Sequence, residues 1–186
     1  VLYAACRTAA SWPLIDGQAL SVAVNLSARQ LKEPGLPAVV ADALAVSGLP
    51  PECLELEITE SMIMGDVEHT IRVLKSIKAL GVRIAVDDFG TGYSSLSYLQ
   101  RLPIDTLKID RSFVSGCDRG GKAMAIPHAI IFLGRSLNLH IVAEGVETTA
   151  EKDVLAVCGC NEFQGYLFSR PMQAAAVADY LEGATS

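Results

Sequence analysis

Positive charge is scarce in this chain. Fifteen lysines and arginines stand against 21 aspartates and glutamates, a formal net charge of −6 over 186 residues. A duplex nucleic-acid binder needs a basic face, and the balance argues against one. Long apolar runs are missing too. The most apolar segment, Ala123 to Leu133, is broken by Pro127 and His128 and falls short of the roughly 18 residues of a membrane span. No basic stretch, apolar core and cleavage site follow one another at the N-terminus, so nothing there reads as a secretory signal. Paired cysteine spacing is absent. Cys6, Cys53, Cys117, Cys158 and Cys160 are odd in number, and Cys158-Gly-Cys160 is one residue short of CxxC. That pattern predicts free thiols in a reducing cytoplasm, with no zinc or disulfide framework. There is no Pro-, Gly- or Ser-rich linker, no low-complexity segment and no internal repeat, which leaves one domain with a sizeable core.

What the chain does have is alternation. Short apolar runs at Leu20–Leu26, Leu54–Thr59, Val82–Asp87, Thr106–Ile109, His140–Ala143 and Phe163–Phe168 read as strands. Several are rich in Val and Ile and read as apolar on both faces, as expected for strands buried on both sides of a parallel sheet. Between them, Leu36–Ser47, Val67–Leu80, Ser94–Arg101, Lys122–Leu137 and Thr148–Val157 read as helices, with Gly48, Gly81 and Gly159 at their C-terminal ends. Repeated βα units have two main solutions, a doubly wound sheet or a (β/α)8 barrel. Six strands are visible where a complete barrel needs eight and about 250 residues. The chain therefore reads as a single domain, residues 1–186, truncated on its N-terminal side.

Polar residues recur at the strand ends: Asn25, Glu57, Asp87 with Asp88, Lys108 with Asp110, Glu144 and Gln164. In a parallel α/β protein these ends share one face, where ligands bind. Carboxylates and an amide oxygen converging there are hard donors. They suit Mg²⁺ or Mn²⁺ better than zinc, and His69, His128 and His140 lie elsewhere in the pattern. Blander readings stand beside this one. Asp87-Asp88 can cap the following turn, Glu55 can form a salt bridge, and Lys108 can neutralise Glu57 or Asp87. Recurrence from strand end to strand end favours the metal site.

These residues also resemble a known family. Val24-Asn25-Leu26-Ser27, Glu57-Ile58-Thr59-Glu60-Ser61, the run Asp87-Asp88-Phe89-Gly90-Thr91-Gly92-Tyr93-Ser94-Ser95-Leu96, Lys108-Ile109-Asp110, Ala143-Glu144-Gly145-Val146-Glu147-Thr148 and Gln164-Gly165-Tyr166 with Pro171 occur in the order of the EAL-domain motifs. The resemblance implies a TIM-type barrel that hydrolyses cyclic di-GMP to linear pGpG with two Mg²⁺ or Mn²⁺ ions. Carried over, Asn25, Glu57 and Asp87 would ligate one metal, and Asp87 would bridge to a second that Asp88 helps hold. Lys108 and Glu144 would orient or deprotonate the attacking water, and Gln164 would be a further polar contact. Glu60 would anchor the loop after Asp88. That loop and the adjacent helix carry the expected homodimer contact. Asp110 and Glu147 would support the others from behind.

The family's name-giving Glu-Ala-Leu, on its first strand, has no counterpart; Gln18-Ala19-Leu20 is a superficial echo, and Val1-Leu2 resembles the helix after that strand. The expectation is thus a phosphodiesterase in the parent protein, impaired in this chain alone. The alternative is an inactive cyclic-di-GMP-binding regulatory module. The parent is expected to carry an upstream sensory or GGDEF domain and to be cytoplasmic, with any membrane tether lying outside this chain.

Overall fold

A computed structural model describes residues 1–15, 17–92 and 96–184. In chain order its helices and strands are α1 (Leu2–Ala10), β1 (Val22–Asn25), α2 (Ala28–Leu31), α3 (Leu36–Ser47), β2 (Leu54–Thr59), α4 (Glu60–Ile63), α5 (Val67–Lys78), β3 (Arg83–Phe89), α6 (Leu96–Leu99), β4 (Thr106–Ile109), α7 (Arg111–Val114), α8 (Lys122–Ser136), β5 (His140–Ala143), α9 (Thr149–Cys158), β6 (Glu162–Phe163) and α10 (Ala174–Ala184).

Every strand pairs in parallel with the next, giving the order β1-β2-β3-β4-β5-β6. A doubly wound sheet reverses its strand order at a switch point. This sheet never does, so of the two solutions it takes the barrel. Six consecutive strands of a TIM-type barrel form a curled half-barrel, with helices on the convex side.

Local chemistry sets the element ends. Asp66 caps α5 by accepting the His69 N–H at 3.0 Å. Thr148 and Glu151 form a reciprocal capping box at the start of α9. Gly48 and Gly159 close α3 and α9 in the left-handed conformation. Leu54, Leu56, Ile58, Ile84, Val86, Leu107, Ile109 and Ile141 are fully buried, in one core with Val40, Leu74, Ile77, Ile131 and Leu155 from the helices.

One face of the sheet is apolar and the other carries most of its polar side chains beside Ala23, Ala85 and Val142, which corrects the expectation of strands apolar on both sides. Side chains alternate along a strand. The residues between those core positions, Glu55, Glu57, Arg83, Thr106, Lys108 and His140, line a concave cavity of about 120 Å³. The C-terminal elements also differ from expectation. The last strand ends at Phe163 rather than Phe168, because the Gln164 N–H donates to the Ala143 carbonyl at 2.8 Å and the Leu167 N–H then turns back to Val146 at 3.0 Å. Helix α10 has no counterpart among the expected elements. The five cysteines form no disulfide. Of the loop expected to carry a homodimer contact, residues 93–95 lie outside the described residues. Among the described residues, no helix is long and apolar enough to cross a membrane.

Candidate active site

The site is built on the concave face, at the C-terminal ends of the strands. At its centre Lys108 leaves β4 with its side chain only 6% exposed. Its ammonium donates to Glu57 Oε1 on β2 and to Glu144 Oε1 just past β5, the latter at 2.6 Å, and Asp87 Oδ1 on β3 lies 3.5 Å away. Burial disfavours the charged ammonium, but the hydrogen bonds to Glu144 and Glu57 outweigh it, and Lys108 is held well above the usual lysine range. Burial raises the Glu144 carboxyl above the usual range. Asp87 and Glu57 push the same way, and Lys108 only partly offsets them. Both shifts are upward but favour opposite charge states, the charged ammonium and the neutral carboxyl, because Lys108 faces acids alone, whereas Glu144 is buried and faces one cation and two acids. Lys108 is therefore the fixed charge of the site, and Glu144 is the group whose proton is adjustable.

Asp87 and Asp88 are adjacent, and in a regular strand they would point to opposite faces. The strand is not regular there. The pairing of β3 with β4 shifts register between Val86 and Phe89, and Asp88 sits at φ 53°. The left-handed residue turns both acids to one side, and one carboxylate oxygen each from Asp87, Asp88 and Glu144 lies within 4.8 Å of the others. The Asp88 N–H donates to Asp87 Oδ1 at 3.0 Å. The Asp88 carboxyl is raised by burial, by the charges of Asp87 and Asp110, and by a hydrogen bond with Asp110.

Supporting contacts come from farther along the chain. Glu60 is buried at the start of α4, and its Oε2 accepts the N–H groups of Gly90 at 3.0 Å and Gly92 at 3.4 Å. A Cβ on Gly92 would lie 2.7 Å from Glu60 Oε1, so a larger residue there would push the carboxylate aside. Asp110 caps α7 by accepting the N–H of Ser112 at 3.0 Å and also its hydroxyl.

The structure thus brings together Glu57, Asp87, Asp88, Lys108 and Glu144, with Glu60 and Asp110 against them. Asn25 ends β1 in register with Glu57. Gln164 lines the cavity at the other edge of the sheet. Glu147 does not join the acids; it pairs with Arg111 Nη2 at 2.6 Å on the surface. Lys108 does neutralise Glu57 and Asp87, and the bland reading of that residue coexists with the functional one.

Sequence reasoning passed over Arg111 and Glu151. Glu151 is buried and accepts the N–H groups of Gly116 at 2.9 Å, Glu147 at 3.0 Å and Thr148 at 3.1 Å. Desolvation opposes its charge, but those bonds win and lower its carboxyl. The capping-box spacing from Thr148 was the available signal for it. The contact to Gly116, 35 positions away, had none.

Against known proteins, a family model described as "EAL domain" matches residues 1–171. MucR of Pseudomonas aeruginosa, a bifunctional diguanylate cyclase/cyclic di-GMP phosphodiesterase, is 50% identical over 175 residues, covering 94% of this chain and 25% of MucR. The cyclic di-GMP phosphodiesterase NbdA of the same species is 45% identical over 181 residues, covering 97% of this chain and 23% of NbdA. The chain therefore spans about a quarter of the length of these curated relatives. The solved structure of the PaMucR phosphodiesterase in complex with c-di-GMP superposes with a TM-score of 0.87 at 48% identity, covering 95% of this chain and 71% of that one. The Klebsiella pneumoniae BlrP1 manganese/cy-diGMP complex gives a TM-score of 0.76 at 35% identity, covering 83% and 40%.

Proposed function

The chain belongs to the EAL-domain family, and from that premise we propose that it supplies the catalytic face of a phosphodiesterase that hydrolyses cyclic di-GMP to linear pGpG. The observation that carries this reading is the meeting of Glu57, Asp87 and Glu144 around the buried Lys108 at the strand ends. The similarity to MucR and NbdA supports the choice of substrate.

The residues fit divalent metal. Asp87, Asp88 and Glu144 put carboxylate oxygens within 4.8 Å of one another, and the Asp88 carboxyl is raised first by burial and then by the neighbouring charges of Asp87 and Asp110. These oxygen donors match Mg²⁺ or Mn²⁺. Asn25, Glu57 and Asp87 would hold one ion, and Asp87 and Asp88 the other. When bound, such ions acidify a water and neutralise phosphoryl charge.

The chain's own groups do the rest. Opening the ring to pGpG places the water oxygen on phosphorus, breaks a P–O3′ bond and delivers a proton to O3′. Lys108, held protonated, cannot take a proton from water. Its role is to donate hydrogen bonds, orienting Glu144 and Glu57 and countering charge that develops on the phosphoryl oxygens. Glu144, hydrogen-bonded to Lys108 and with its carboxyl raised by burial, is the acceptor for the water proton in this reading. Gln164 is a polar contact at the rim, and Glu60 holds the Gly90–Gly92 turn beside Asp88. A sensory or diguanylate cyclase domain, a homodimer contact near the loop after Asp88 and a cytoplasmic setting belong to the same proposal for the whole protein.

The test is pGpG formation by the full-length natural protein with Mg²⁺ or Mn²⁺. Turnover is expected to fall by orders of magnitude in Glu57→Ala and Asp87→Ala. Full activity in both would remove the assignment. Tight cyclic di-GMP binding without pGpG from the unsubstituted protein would establish the regulatory alternative.

A further inference from the structure

On the convex side of the sheet, away from the acid cluster, a cavity of about 360 Å³ opens between the C-terminal half of α8 and the end of α9. It is lined by His128, Phe132, Arg135 and Ser136 of α8 and by Cys158 of α9. We propose that this cavity binds a small planar aromatic anion, an aryl carboxylate or sulfonate, with its ring on Phe132 and its charged group on Arg135 and His128.

The lining residues of α8 share one face of the helix, because His128, Phe132, Arg135 and Ser136 follow one another at helical spacing. That face is not core. Phe132 is 69% exposed, while Ile130 and Ile131 beside it are buried. A lone exposed apolar side chain is ordinary. This one lines a cavity whose other walls are polar, and an exposed ring in such a place can stack on a second ring. The cavity is of the size and mixed character of small-molecule sites.

Charge selects the ligand. The chain carries a net charge of −6, yet this cavity has an arginine and a histidine in its wall and no acid. Among the described residues, neither Arg135 nor His128 has a carboxylate partner. Arg135 is held by packing instead. Gly159 closes α9 at φ 95°, and a Cβ there would lie 2.2 Å from Arg135 Nη1. The guanidinium therefore rests on bare backbone at the negative end of the α9 dipole, restrained without a paired anion. The Ser136 hydroxyl is already spent on the Phe132 carbonyl at 2.8 Å. The donors left to a ligand are the guanidinium and the imidazole. A guanidinium hydrogen-bonds a carboxylate or sulfonate far more strongly than a neutral group, so an anion is preferred to an uncharged ring.

Cys158 is a reporter already in the wall, since Cys6, Cys53, Cys117 and Cys160 are buried and it is only partly so. The experiment follows alkylation of Cys158 by iodoacetamide in the full-length protein, resolved at that residue by mass spectrometry. The probes are the anionic dye anilinonaphthalene sulfonate and its neutral counterpart phenylnaphthylamine. The sulfonate is expected to slow alkylation of Cys158, and the neutral compound to protect it far less. Arg135→Met keeps an apolar stem over Gly159. It is expected to raise the half-protecting sulfonate concentration, measured against the variant's own unliganded rate, roughly 10- to 150-fold, the range for loss of a hydrogen bond to a charged group. Phe132→Ser, at an exposed position, is expected to weaken protection by both compounds. No protection at Cys158, equal protection by the two compounds, or protection by the sulfonate that survives both substitutions overturns the site. None of these readouts involves cyclic di-GMP, so the phosphodiesterase reading stands or falls separately.

Discussion

Replacing Lys108 by methionine removes the only cation among the described residues in contact with Glu57, Asp87 and Glu144, while keeping most of the side-chain volume. The magnitude follows from the geometry. At an effective dielectric near 20, a contact of 2.6 Å to Glu144 corresponds to about 6 kcal/mol of attraction, and 3.5 Å to Asp87 to about 5 kcal/mol. Most of that is offset by desolvating an ammonium whose side chain is 6% exposed. Deleting one partner of such a buried group leaves the acids uncompensated, a loss of about 3–5 kcal/mol. The loss depends on pH through Glu144. Its folded carboxyl is already raised, and Lys108 is among the groups holding it down, so the variant raises it further. A group raised on folding contributes stability when protonated and loses it as pH rises through the folded value. Lys108 itself, raised above its ordinary range, contributes constantly at any pH below that range. Urea unfolding of metal-free Lys108→Met is therefore expected to show the full deficit at pH 8 and a smaller one at pH 5. A deficit equal at the two pH values, or none at pH 8, refutes the claim that Lys108 is the counter-ion of this cluster.

Asp88→Asn mimics the protonated acid and suits the left-handed backbone at φ 53°. Because the Asp88 carboxyl is raised on folding, the variant should stabilise the metal-free protein at pH 8, with the gain fading on acidification, and should weaken Mn²⁺ binding in calorimetry. Glu60→Ala strands the N–H groups of Gly90 and Gly92; a loss of about 1–3 kcal/mol and faster amide exchange at those positions are expected, and unchanged exchange would show that the anchor is dispensable. Gly92→Ala drives a methyl against Glu60 Oε1 and should reproduce that exchange pattern with the carboxylate still present. Glu151→Ala removes the acceptor of three N–H groups. Since that carboxyl is lowered on folding, its contribution is present at neutral pH and lost as pH falls through the lowered value, so wild type and variant should converge in acid melts.

Much of the fold was legible in the residues. Strands β2, β4 and β5 and helix α3 begin and end where hydrophobic period and flanking Gly or Pro place them. β6 was misjudged because Tyr166-Leu167-Phe168 is strand-like in composition, but the close approach of Gly165 to Val146 forces a turn before it. The acids at the strand ends were legible as well, since parallel strands carry their C-terminal ends to one face whatever the details of packing.

What the sequence by itself determined was the βα alternation, the family, and the list of acids and amides on the binding face. These depend on local periodicity and motif order, which need no knowledge of distant contacts. Tertiary structure alone decided the rest. It chose the barrel over the doubly wound sheet through an unreversed strand order. It turned Asp88 to the side of Asp87 and gave Lys108 three carboxylate neighbours, from β2, β3 and the turn just past β5. It also sent Glu147 to Arg111 instead of to the acids. Each outcome depends on groups tens of residues apart meeting at about 3 Å, where charge and desolvation are settled by which partners the fold delivers rather than by the neighbours along the chain.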